Sequence, residues 1–176
     1  MLAFDATGNL YVTCSGEDGD PSVMRVSPGG SVEIWTTAVP GYPNGICLDA
    51  AGDALLIVES RRPGIARVPI ANGGGPGAAV IAASLPETEP DGITLCEDGS
   101  LLVTLYRPDG VVRVDPGGRV STVVHDPLTQ VFDAPTNLAF VGPSLDRAVV
   151  ANVGDRFLSI GDLGIRGAPP AYPDLP

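Results

Sequence analysis

The chain has 176 residues, enough for one domain with a core, and 44% of them are hydrophobic. Its 23 glycines and 18 prolines fall between short apolar runs, a pattern that argues against long helices. A formal charge of −11 argues against nucleic acid and against anionic membranes as partners.

The elements recur in chain order. The first stretch, LAFDATGNLYVT (2–13), gives an apolar strand, a tight turn from Asp5 to Gly8 and a second strand. A loop carrying Glu17 and Asp18 leads to a third strand, VMRV (23–26). The turn Ser27-Pro28-Gly29-Gly30 then leads to a fourth strand, VEIWTT (32–37). The second copy opens at Pro43-Asn44-Gly45 and runs through GICLDAAGDALLIVES (45–60), IARV (65–68) and AVIAAS (79–84). The third opens at Pro90-Asp91-Gly92 and runs through GITLCEDGSLLVTLY (92–106), VVRV (111–114) and VSTVV (120–124). The fourth contains NLAFVGPSLDRAVVAN (137–152) and FLSI (157–160).

Equivalent positions Leu2, Ile46, Ile93 and Leu138 follow one another at intervals of 44, 47 and 45 residues. Four short strands per repeat of about 45 residues predict an all-β fold, a β-propeller with four blade repeats. The blades are expected at about 1–40, 41–87, 88–132 and 133–166, followed by a Pro-rich tail at 167–176. The fourth repeat lacks a convincing fourth strand, because Pro169, Pro170, Pro173 and Pro176 are incompatible with an interior strand. The chain also starts one residue before an innermost strand. The expectation is an open ring, a ring closed by another chain through its sheet edges as a homo-oligomer, or a fragment. Cys14, Cys47 and Cys96 have no metal-binding spacing and read as small buried hydrophobes. No signal peptide and no apolar run long enough for a bilayer is present, so the expected location is the cytoplasm.

The two in-register triplets carry the chemistry. Equal positions in neighbouring blades stand at equal height around the channel, so Asn44 and Asp91 should face one mouth, with Thr136 as the third equivalent. Taken singly, each triplet is an ordinary turn sequence. A carboxylate, an amide oxygen and backbone carbonyls converging on one point suit a hard cation such as Ca²⁺, and the carboxylate can serve as a general base. The second strand of each blade ends where the first begins. That brings Glu17 and Asp18, the span from Glu59 to Arg62, and Tyr106 with Arg107 to the same opening as candidate substrate contacts. Solvated loop charge is the ordinary alternative for them. His125, the only histidine, lies beside the fourth strand of the third blade and away from that mouth, which argues against a Ser-His-Asp triad.

The stretches PNGICLDAAGDALLIVES, PDGITLCEDGSLLVTLYRPDGVVRVDPGGRV and PTNLAFVGPSLDRAVVAN resemble the senescence marker protein/gluconolactonase (regucalcin-like) family. The resemblance covers nearly all of the chain and implies a six-bladed architecture, of which four blades are present. It further implies a metal-dependent hydrolase of sugar lactones. Asn44 and Asp91 would be ligands to a divalent metal, Ca²⁺ first and Zn²⁺, Mn²⁺ or Mg²⁺ as alternatives. Asp91 would also be the catalytic base, and the partner a small-molecule lactone or sugar acid. The family's third ligand, a Glu in an early blade, has no counterpart here. A non-catalytic binding or scaffold propeller is the alternative that this departure motivates.

Overall fold

The computed structural model describes residues 1–16 and 19–170. Among them every regular element is a strand, arranged in four antiparallel sheets that form the blades of a β-propeller. Blade 1 comprises β1 (Leu2–Phe4), β2 (Leu10–Cys14), β3 (Ser22–Val26) and β4 (Val32–Thr36). Blade 2 comprises β5 (Pro43–Leu48), β6 (Ala54–Glu59), β7 (Gly64–Pro69) and β8 (Val80–Ser84). Blade 3 comprises β9 (Glu89–Leu95), β10 (Leu101–Arg107), β11 (Gly110–Val114) and β12 (Val120–His125). Blade 4 comprises β13 (Pro135–Val141), β14 (Arg147–Asn152) and β15 (Leu158–Gly161). Each sheet is a meander in which consecutive strands pair.

The burial pattern explains the residue choice. In blade 2, β6 lies between its own neighbours and is covered by blades on both faces, so Ala54 to Val58 are all buried. A continuous apolar run, rather than an alternating one, is what such a position requires. β4 has exposed residues over its first three positions, because the outermost strand meets solvent. The core is divided into three layers, one between each pair of successive blades. Tyr11, Trp35, Ile46 and Leu55 pack between blades 1 and 2. Val58, Ile65, Ile93 and Val103 pack between blades 2 and 3, and Leu102, Val111, Leu138 and Val150 between blades 3 and 4.

Two features sharpen the expected ends. The segment after β15 folds back rather than trailing away. Glu97 N–H donates to the Arg166 carbonyl and Ala168 N–H to the Leu95 carbonyl, while Leu163 and Ile165 pack on the third core layer. This strap binds blade 4 to the β9–β10 turn of blade 3. At the other end, Met1 reaches towards blade 4, with its Sδ 3.4 Å from Asn137 Nδ2. The three cysteines are free, and burial first, with help from Asp49, pushes the Cys47 thiol up to about 12. No helix among the described residues is long and apolar enough to cross a membrane.

Candidate functional site

The site begins with a pair of β-bulges. In blade 2, Pro43 pairs with Glu59 and Ile46 with Ile57, so Asn44 and Gly45 together oppose Val58. In blade 3, Pro90 pairs with Leu105 and Ile93 with Val103, so Asp91 and Gly92 together oppose Thr104. A bulge of this kind re-aims a side chain that regular pairing would bury in the sheet. Here it brings Asn44 and Asp91 to one cavity of about 630 Å³.

The glycines follow from the same geometry. A Cβ on Gly45 would stand 2.5 Å from the Asp91 carbonyl oxygen, and one on Gly92 would stand 2.7 Å from the Thr136 carbonyl oxygen. Successive innermost strands approach too closely for a side chain at either place. Thr136 is thus next in register, though it lines a separate cavity on blade 4 with Asn152 and Arg156.

A second set of contacts latches the blades together. Ser15 Oγ donates to the Pro43 carbonyl at 3.1 Å, and Ser60 Oγ donates to the Pro90 carbonyl at 2.6 Å. Ser15 and Ser60 hold the same place after the second strand of their blades, and each grips the proline of the next blade's triplet. Ser60 also receives a bond from Asn44 Nδ2 at 3.3 Å.

Asp91 is half-buried, and no described residue donates a hydrogen bond to its carboxylate. Burial raises its pKa from 3.8 to about 6, against the downward pull of the Met1 ammonium. Such a group is mostly ionised at neutral pH yet can still accept a proton there. Around it the cavity is lined by Tyr42, Ser60, Arg61, Glu89 and Tyr106 among others, and the Arg61 guanidinium lies 4.5 Å from the centre of the Tyr42 ring.

The remaining sequence candidates divide. Tyr106 reaches the cavity. Glu59 does not line it, because its Oε1 accepts the Gly41 N–H at 2.6 Å. Arg107 folds back over the Tyr106 ring at 5.0 Å and bonds Asp109 at 2.9 Å, so it too is engaged elsewhere. Glu17 and Asp18 lie outside the described residues. His125 borders a different groove, with Val120 and Val124. Sequence reasoning gave no role to Tyr42, Thr88 or Glu89, although Tyr42 and Glu89 each precede a triplet directly. Ser60 fell within an expected loop span without its own role, and the matching serine at 15 was the signal for it.

The donor chemistry suits a hard, oxygen-seeking cation: the Asp91 carboxylate and the Asn44 amide share a cavity that the exposed Glu89 also lines. Among the described residues, no group of three or more His, Cys, Asp and Glu is placed to hold a metal ion. Asn44 and Asp91 would supply two side-chain oxygens to such an ion, fewer than the six to eight that Ca²⁺ takes.

No curated protein matches the chain in sequence. It is similar in structure to a calcium-binding protein, regucalcin, from Agrobacterium tumefaciens, with 21% identity, TM-score 0.76 and coverage of 97% of this chain and 62% of that one. It is similar to a gluconolactonase from Xanthomonas campestris, with 19% identity, TM-score 0.73 and coverage of 91% and 56%. It is also similar to a chain of a nidogen/laminin complex, with 21% identity, TM-score 0.76 and coverage of 95% and 61%. The chain thus spans 56–62% of the length of these structures, and at such identities the likeness establishes the propeller fold. Residues 2–153 match the SMP-30/Gluconolactonase/LRE-like region, and the chain belongs to that family.

Proposed function

We propose that the protein is a hydrolase of sugar lactones that uses a divalent cation. The observation that carries this reading is the meeting of Asn44 and Asp91, on matching bulges of adjacent blades, at one cavity. Family membership and the regucalcin and gluconolactonase likenesses support it. Asn44 and Asp91 would hold the ion; because both donors are oxygens, Ca²⁺, Mn²⁺ and Mg²⁺ suit them better than Zn²⁺, and the regucalcin likeness puts Ca²⁺ first. When bound, the ion would polarise the lactone carbonyl.

Asp91 performs the proton transfers. It takes a proton from water as the water oxygen bonds to the lactone carbonyl carbon. The ring C–O bond breaks, and the proton passes to the departing ring oxygen, giving a hydroxy acid. Without the ion, a pKa of about 6 leaves this carboxylate able to accept a proton near neutral pH. Tyr42, Arg61 and Tyr106 line the cavity where the sugar hydroxyls would sit.

The test is steady-state hydrolysis of glucono-δ-lactone with Ca²⁺. Asp91→Asn should lower kcat about 10²- to 10⁴-fold. An Asp91→Asn protein with wild-type turnover overturns the mechanism. The second reading, a non-catalytic binding propeller, rests on the cavity presenting, among the described residues, one half-buried carboxylate, Asp91, beside the exposed Glu89. Wild-type protein that adds nothing to the spontaneous rate would favour it.

A further inference from the structure

We infer that Ser60 is a positioning residue that fixes which end of the Asn44 amide faces the cavity. The inference rests on the proposed cation site and extends it to a residue outside the ligand pair.

The argument is one of donors and acceptors. A serine hydroxyl has a single proton. The Pro90 carbonyl can only accept, so at 2.6 Å the Ser60 proton is committed to it. Towards Asn44 the same oxygen can then only accept. The Asn44 amide must therefore present its NH₂ end to Ser60, and the 3.3 Å contact is from Nδ2. Its oxygen is left for the cavity, where a cation needs an acceptor-type donor atom. With Ser60 absent, either amide orientation is open, and the one that aims NH₂ at the cavity repels a cation.

Blade 1 supplies the internal control. Ser15 makes the same latch to the Pro43 carbonyl at 3.1 Å, but no amide side chain among the described residues bonds to its hydroxyl. Loss of the latch and loss of the amide contact are therefore separable by mutation.

The experiment compares wild type, Ser60→Ala, Ser60→Thr and Ser15→Ala by two readouts. One is Ca²⁺ affinity by calorimetry. The other is the ¹⁵N-resolved exchange protection of the Asn44 side-chain NH₂ in metal-free protein. Ser60→Ala should weaken Ca²⁺ binding about 10- to 100-fold, the range for residues that orient metal ligands. It should also abolish the amide protection. Ser60→Thr, which keeps the hydroxyl, should recover most of both, and Ser15→Ala should lower the melting temperature while leaving both unchanged. Unchanged amide protection in Ser60→Ala overturns the inference. Wild-type protein that binds no Ca²⁺ overturns the proposed function instead, and the amide readout still decides the role of Ser60.

Discussion

Asp91 is the residue whose energetics are most telling. Its carboxylate loses water without gaining a donor among the described residues, and its folded pKa rises from 3.8 to about 6. A carboxyl with a raised folded pKa binds its proton more tightly in the folded chain. Its contribution to stability is therefore full below about pH 4 and is lost as pH rises through about 6. In chelator-treated protein, Asp91→Asn should thus stabilise the fold at pH 8 by about 1–2 kcal/mol, after discounting for partial solvation, and change it little near pH 3.5. Urea unfolding at the two pH values measures this, and equal stability at pH 8 would mean that burial does not strain the carboxylate. Stability withheld at a site in this way is a common cost of function. Asn44 and Asp91 were legible as a pair because register alone puts them at the same height. The engagements of Glu59 with Gly41 and of Arg107 with Asp109 were not, because chain position does not reveal which neighbour captures a long side chain.

At the scale of the element, the innermost strands are the demanding part. They meet backbone to backbone at Gly45 and Gly92, where a Cβ would enter the next blade's main chain. Gly92→Ala should therefore destabilise the protein by about 1–3 kcal/mol, since the obstacle is a backbone carbonyl and not a movable side chain. Gly161→Ala on β15, where nothing stands within 4 Å of the added carbon, should change stability by about 0.5 kcal/mol or less. Denaturant midpoints of the two variants check the contrast, and equal effects would contradict the close approach. Strands and turns were readable because the turn glycines sit at positive φ, as at Gly8, Gly52 and Gly99. The bulges were not, because an extra residue in a strand shows only when its partner is known.

For the whole molecule, a period of about 45 residues was enough to give the blades and their order. The strap from Asp162 to Ala168 was hidden, since its partners lie in the β9–β10 turn of another blade and the prolines that follow it suggested only a tail. Also hidden was the inter-blade latch, because Ser60 and the Pro90 carbonyl meet across 30 residues of chain. The strap ties blade 4 to blade 3, and the latch ties blade 2 to blade 3, where the two triplets share one cavity. The claim that they share it as a cation site is open to direct observation. Crystals soaked in Mn²⁺ should show one anomalous peak within about 2.1–2.6 Å of both an Asn44 amide oxygen and an Asp91 carboxylate oxygen. A peak elsewhere, or none at that cavity, would contradict the account.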